Sequence, residues 1–190
     1  MKQLEFKDIA GYLPYGIEFI LSEKGVFNLD SEYGTPYQAY RPMRIIGTLI
    51  GDTIEIDIHS TKENWGVGYI GLDEVKPILH PLSDLTKEIE HNGGEFVPML
   101  HLAGIAFDKL NRHEFVLESN FIRLSSNYAY TFHFDRSECS FDCMVNYDGK
   151  KWGYNCYVPN QLQLFQKLYE WHFDLHNLIE SGLAIDINTL

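Results

Sequence analysis

Little in this chain is basic. Fifteen lysines and arginines stand against 27 aspartates and glutamates, a formal charge of −12. The basic residues do not cluster: the densest groups are Arg41/Arg44 and Lys150/Lys151. Nucleic-acid binding needs a basic stripe that releases counterions, and anionic membrane surfaces ask for the same. Neither is an expected partner. Long apolar runs are missing too. The richest stretch, Val97 to Phe107, is broken by His101 and is too short to span a bilayer. The opening Met1-Lys2-Gln3-Leu4-Glu5-Phe6-Lys7-Asp8 has no apolar signal core, which predicts a cytoplasmic protein. Cysteine is scarce. Three residues at no framework spacing point to reduced thiols rather than a disulfide scaffold. There is no tandem repeat and no low-complexity tract.

What is present is globular. The 190 residues are 45% hydrophobic, 22% charged and 14% aromatic. A chain of this length can bury roughly 70% of the surface it exposes when unfolded. The expected fold is α+β: a mostly antiparallel sheet, or two sheets, with a long C-terminal helix packed on the aromatic sheet face. The expected division is a strand-rich N-terminal lobe over residues 1–80, then a meander and helix over residues 81–190, unless the two form a single domain.

In the first part, Lys7 to Tyr12 reads as a helical turn ended by Pro14 and Gly16. Ile17 to Leu21 and Val26 to Leu29 read as strands. Asp30 to Met43 reads as a loop carrying Tyr33, Tyr37 and Tyr40. Ile45 to Ile50 and Ile54-Glu55-Ile56-Asp57-Ile58 flank Gly51-Asp52 as a hairpin, its second strand alternating isoleucine and carboxylate. Trp65 to Leu72 reads as a further strand. Pro77 and Pro81 then stiffen the approach to a short helix. That helix is capped by Ser83 or Asp84, buries Leu85 and Ile89, and ends at Gly93. Pro98 opens another helical segment, through about Ala103.

Residues 113–158 carry the clearest strand pattern: His113 to Glu118, Phe121 to Leu124, Tyr128 to Phe134, Cys139 to Tyr147 and Lys150 to Val158. Asp148-Gly149 is a two-residue hairpin signal. It puts Phe141 opposite Cys156, Cys143 opposite Tyr154 and Val145 opposite Trp152, all on one face with Cys139 and Val158. Tyr128, Tyr130, Phe132 and Phe134 extend that face. An aromatic sheet face needs a cover. Gln161 to Ser181, with Asn160 as cap and Gly182 at the end, supplies one as a helix roughly 30 Å long. Its stripe is Leu164, Leu168, Trp171, Leu175, Leu178 and Ile179. The alternating tail Leu183 to Ile187 docks as an edge strand or against the core.

Five groups could carry chemistry. His172 and His176, four apart on the expected helix, have the spacing of a two-histidine zinc site, but the glutamate of the metalloprotease motif and a third ligand are missing. Cys139, Cys143 and Cys156 share one inferred sheet face. They fall mid-strand among rings, where cysteine acts as a small hydrophobe. Glu55 and Asp57 stand about 7 Å apart on an exposed strand face, and solvation explains them as well as acid–base work does. Gly66, Gly68 and Gly71 form a loose Gly-x-Gly-x-x-Gly that opens no helix. The Tyr33/Tyr37/Tyr40 loop suits either a binding surface or packing. No Gly-x-Ser-x-Gly elbow is present. No residue is assigned as catalytic, cofactor-binding or metal-ligating, and no cofactor is expected.

Four stretches together resemble a known family. They are Tyr12-Leu13-Pro14-Tyr15-Gly16, the run Lys76-Pro77-Ile78-Leu79-His80-Pro81-Leu82-Ser83-Asp84-Leu85-Thr86-Lys87-Glu88-Ile89, Glu95-Phe96-Val97-Pro98, and Lys167 to Asp174 continuing into Ile179 to Asn188. The chain resembles a family of short proteins from phages and prophages of gut Bacteroidota-type bacteria. The resemblance implies a cytosolic protein of a phage or mobile element and no particular activity. The family pattern has an aromatic at position 176, where this chain has His176. The expected function is therefore non-enzymatic: an accessory protein acting through protein–protein contact, with counter-defence as one concrete form. The alternative is an enzyme, or a protein binding a small ligand or metal, with a site assembled from distant residues. A protein partner is expected, and a homo-oligomer is compatible with it.

Overall fold

The structure is a computed structural model. It describes residues 3–21, 43–44, 53–59, 65–107, 115–118, 121–124, 128–147, 153–156, 158 and 160–190. For 21, 43–44, 53–59, 65–70, 115–118, 121–124, 128–130, 145–147 and 153–156 the description is of the backbone. The elements run α1 (Phe6–Ile9), β1 (Glu18–Leu21), β2 (Met43–Arg44), β3 (Thr53–His59), β4 (Trp65–Gly71), β5 (Val75–Leu79), β6 (Ile89–His91), β7 (Gly94–Phe96), α2 (Pro98–Ala106), β8 (Phe115–Glu118), β9 (Phe121–Leu124), β10 (Tyr128–Asp135), β11 (Ser140–Tyr147), β12 (Gly153–Cys156), α3 (Gln161–Glu170) and β13 (Ile185–Asp186). It is a mixed α and β structure, its sheets small and antiparallel apart from one parallel pair. Among the described residues no helix is long and apolar enough to cross a membrane.

The chain forms two compact units. The first joins Met1–Pro81 to His172–Leu190; the second is Leu82–Trp171. The sequence pattern keeps residues 172–190 with the second lobe, whereas the chain returns them to the first.

In the first unit the sheet order is β13-β5-β1-β2. β5 pairs antiparallel with β1 (Phe19↔Pro77, Leu21↔Val75) and parallel with β13 (Ile185↔Ile78). Val75, Pro77, Ile78 and Leu79 are buried, as a strand flanked on both sides requires. Pro77 argues against a central strand when read in isolation, but β13 joins only at Ile78 and Leu79, past the proline. β13 is the edge strand expected of the alternating tail. Ile9, Tyr12, Ile17, Phe19, Leu79, Phe173 and Leu178 fill the interior. Leu13-Pro14-Tyr15 makes one tight turn of 3-10 helix, and Gly16 closes it at φ 68°, where a glycine costs little.

The second unit is built on a five-stranded antiparallel meander, β12-β11-β10-β9-β8. β10 and β11 pair from Tyr128↔Tyr147 to Asp135↔Ser140, so Phe132 meets Cys143 and Phe134 meets Phe141. Phe132 and Phe141 stack at 5.5 Å with planes 7° apart, and Phe107 meets Phe132 edge-on at 5.6 Å. The expected aromatic face is present in these residues. Phe165 of α3 reaches it, with ring centroids 5.6 Å from Phe141 and 6.1 Å from Phe134. Gln161 accepts from the Phe141 N–H at 3.1 Å and donates to the Phe141 carbonyl at 2.6 Å. Among the described residues the last β11–β12 pair is Cys143↔Cys156. One amide side chain thus meets both backbone hydrogen-bonding groups of Phe141.

Three expectations need correction. First, the C-terminal helix is short. α3 ends at Glu170, and the chain turns at Trp171 into His172, which has φ 56°. Beyond it, the His80 N–H donates to the His172 carbonyl at 2.8 Å and the Asp174 N–H donates to the His80 carbonyl at 2.9 Å. The buried Asp174 carboxylate accepts from the N–H groups of His176, Leu178 and Ile179 at 3.3, 2.8 and 2.9 Å. These bonds replace the helical ladder with turns, and turns bring Phe173 and Leu178 inward as a helix would have. Asn160 precedes α3 in the left-handed region, with no side-chain cap bond.

Second, Leu82–Thr86 is a 3-10 turn, and residues 89–96 are a hairpin rather than the end of a helix. Asn92 and Gly93 take φ 52° and 75°. That is the two-residue turn an Asn-Gly pair favours. Leu85 and Ile89 are buried all the same. Third, the β11–β12 register differs. Cys143 stands opposite Cys156 and Val145 opposite Tyr154, two residues from the pairing a two-residue Asp148-Gly149 loop imposes. The shift is even, so the expected alternation is unchanged. The turn residues 148–152 lie outside the described residues.

Candidate functional site

Among the described residues of the second unit, the β6–β7 hairpin alternates inward and exposed side chains. Alternation puts Ile89 and Phe96 opposite one another, and Glu90 opposite Glu95. Ile89 is buried and Phe96 is half-buried against Trp171, ring centroids 4.9 Å apart. His101 of α2 joins both rings, 5.6 Å from Phe96 and 5.3 Å from Trp171 at 89°. Edge-on packing of this kind suits the ring quadrupoles. The inner side of the hairpin is thereby anchored.

The outer side carries charge. Glu90 and Glu95 are exposed and directly opposed, and exposed Glu88 precedes them. Like charges opposite one another on antiparallel strands are destabilising. The tight turn and the aromatic anchor hold them there. Next to them, burial lowers the pKa of His91; the nearby Glu170 carboxylate opposes that shift and Lys167 adds to it. Lys167 and Glu170 pair on α3 at 2.7 Å. The result is a fixed row of carboxylates suited to a cationic surface.

The residues singled out by sequence fall elsewhere. His172 and His176 belong to the first unit but not to one helix. The His172 ring Nε2 is 3.2 Å from the Tyr15 carbonyl, and the His176 and Tyr12 rings stand edge-to-face with centroids 6.3 Å apart. The two-histidine helix spacing is not realised. Tyr12, fully buried, donates its hydroxyl hydrogen to the Phe173 carbonyl at 2.7 Å and accepts from the Leu175 N–H at 3.1 Å. Among the described residues no group of three or more His, Cys, Asp and Glu side chains could hold a metal ion.

The cysteines part company. Cys143 is buried, but Cys139 is exposed and lies in the β10–β11 turn at φ 49° rather than in the strand. Its expected place on the aromatic face is corrected. The cause is the turn itself: the Asp135 carboxylate accepts from the Ser137 N–H at 2.8 Å, the Ser137 hydroxyl at 2.7 Å and the Glu138 N–H at 3.2 Å, closing the chain before Ser140. Those bonds, the hydroxyl's first, hold the Asp135 carboxyl below the usual range. Burial, with Cys139 adding to it, raises the Tyr169 phenol. The side chain of Cys156 lies outside the described residues.

Gly66, Gly68 and Gly71 are strand residues, paired with Ile58, Ile56 and Thr53 of β3. A ladder strand is not the strand-to-helix turn that cradles phosphate. Glu55 and Asp57 lie on β3, paired with Tyr69 and Val67. Their side chains are outside the described residues, as are the Tyr33/Tyr37/Tyr40 loop and the Ile45–Ile50 and Val26–Leu29 segments. The acidic hairpin itself was legible in one dipeptide, Asn92-Gly93, which a helix assignment over residues 83–92 absorbed. Comparison with known protein families, curated proteins and solved structures gives no match.

Proposed function

We propose that this chain is a non-enzymatic accessory protein of a phage or mobile element that acts by protein–protein contact, occupying a basic surface of a host factor. Counter-defence is the concrete form of this reading. The observation that carries it is the opposed carboxylate pair Glu90 and Glu95 on an anchored hairpin, in a chain of charge −12. Like-charge repulsion within the free hairpin is relieved when a cationic partner docks. Such a surface steers encounter and sets specificity, and it weakens as salt screens it. The resemblance to phage proteins supports the setting and a cytoplasmic location.

The test is capture from lysate of a gut Bacteroidota host at graded salt, with wild-type protein and Glu90→Lys/Glu95→Lys as baits. The expected result is a stoichiometric partner retained at low salt, released as salt rises and lost with the charge-reversed bait. A wild-type bait that retains no stoichiometric partner overturns the reading.

A second reading, small-ligand binding, rests on a cleft of about 280 Å³ in the second unit, where Leu82, Leu85, Met99 and Phe134 meet Arg136. Ligand pockets usually run from about 300 to 1,000 Å³, so the cleft suits a small molecule, and Arg136 in its lining makes carboxylates the first class to screen. Thermal-shift screening of small carboxylates tests it. A rise in melting temperature that Arg136→Ala abolishes supports it, and no shift with any member sets it aside.

A further inference from the structure

Two of the three cysteines occupy facing positions of one ladder. Cys143 of β11 and Cys156 of β12 are register partners, an observation independent of the acidic hairpin. Directly opposed residues in an antiparallel pair have Cα atoms about 4.5 or 5.5 Å apart, depending on the hydrogen-bonding class of the pair. A disulfide bridges Cα separations of about 4.4 to 6.8 Å. Both classes lie inside that window. Nor does the pairing depend on a loop bringing distant segments together: β10 holds β11 along eight register pairs, and β12 is one of the sheet's two edge strands.

We propose that Cys143 and Cys156 form a reversible cross-strand disulfide with a small-molecule disulfide such as oxidised glutathione as the oxidant. The product is the same whichever thiol exchanges first. Starting from Cys156, its thiolate attacks one sulfur of the oxidant. A mixed disulfide forms and one glutathione thiolate leaves. The Cys143 thiolate then attacks the Cys156 sulfur of that mixed disulfide, and the second glutathione thiolate leaves. The two cysteines give up two protons and two electrons, and the oxidant becomes two reduced glutathione molecules. The product ties the edge strand to its neighbour. Reduction by excess dithiol reverses it. Cys139, exposed in the turn four residues before Cys143, is outside this pair and takes a glutathione adduct instead.

The experiment treats the folded full chain with oxidised glutathione, then alkylates, digests and maps it, beside a Cys139→Ser variant handled identically. The expected result is a linked peptide pair joining Cys143 to Cys156 in both proteins. The variant loses both remaining thiols, ends about 2 Da lighter and regains both thiols with dithiothreitol. The oxidised variant melts several degrees higher than its reduced form, as closing a loop of this size in the unfolded chain predicts. Linkage of Cys139 to either partner overturns the proposal. So does a variant that keeps two thiols, or one that carries only glutathione adducts. If the variant does not fold, the wild-type map decides alone, since only a Cys143–Cys156 peptide meets the expectation.

Discussion

At the scale of single residues, buried or half-buried polar groups decide where the chain goes. Asp174 is the clearest case, because three N–H groups converge on one carboxylate and the chain turns instead of continuing α3. Leaving such donors unpaired in the interior costs about 1–3 kcal/mol each, so the turns are strongly specified. His91 offers a pH readout of the acidic surface. Burial lowers its pKa, Glu170 raises it and Lys167 lowers it. The unfolded chain, with an ordinary imidazole pKa near ~6.5, takes up the proton first. Stability therefore rises with pH across the window between the folded and the unfolded value, and His91 works against folding once the pH falls below that window's upper edge. Glu170→Gln removes an influence that raises the pKa and removes the ion-pair partner of Lys167. The His91 titration followed by NMR is expected to move further down in this variant. A titration that stays in place, or moves up, refutes the assigned influence of Glu170.

At the scale of elements, the Asn92-Gly93 turn sets the geometry of the proposed docking surface. Gly93 sits at φ 75° with open space where a Cβ would go, and Gly94 has only the His91 carbonyl near, at 3.7 Å. Alanine at 93 thus meets no clash and bears only the conformational cost, about 1–2 kcal/mol for a left-handed non-glycine residue. Gly93→Ala is expected to lower the urea midpoint of the second unit accordingly, and Gly94→Ala to lower it less. Equal effects would mean that the turn geometry is not what Gly93 supplies. The same element shows what sequence could and could not reveal. The 113–158 strands are legible because alternation and short turns are local, and the pattern marks Phe121–Leu124 with its observed bounds. The 83–96 region combined a cap-like Ser83-Asp84, apolar spacing at Leu85 and Ile89, and a glycine; those signals are shared by a short helix and by a turn followed by a hairpin. The stop after Glu170 was not legible, since it depends on His80, which is remote in sequence and pairs with the 172–174 backbone. Nor was the anchored carboxylate row, which arises only when Phe96, His101 and Trp171 meet.

At the scale of the whole molecule, the connectivity constrains the order of folding. The second unit is a continuous stretch, Leu82–Trp171, whereas the first needs both ends of the chain. Its interior includes Phe173 and Leu178, the Tyr12 hydroxyl bonds to the Phe173 carbonyl, and β5 takes β13 as a neighbour. During synthesis the first unit therefore waits for residues 172–190, while every residue of the second is already made. Truncating one buried phenylalanine and one buried leucine costs about 5–10 kcal/mol together, close to the about 5–15 kcal/mol that holds a typical domain folded. A chain stopped after Trp171 is accordingly expected to lose amide-exchange protection at Phe19, Ile20, Leu21, Val75 and Lys76, the β1–β5 ladder. The loss should reach these amides although none of them is deleted, because the side chains they pack beside are gone. Retained protection at β1 and β5 in the shortened chain would show that Met1–Pro81 holds its sheet without the returning segment, and the two-ended reading of the first unit would fail.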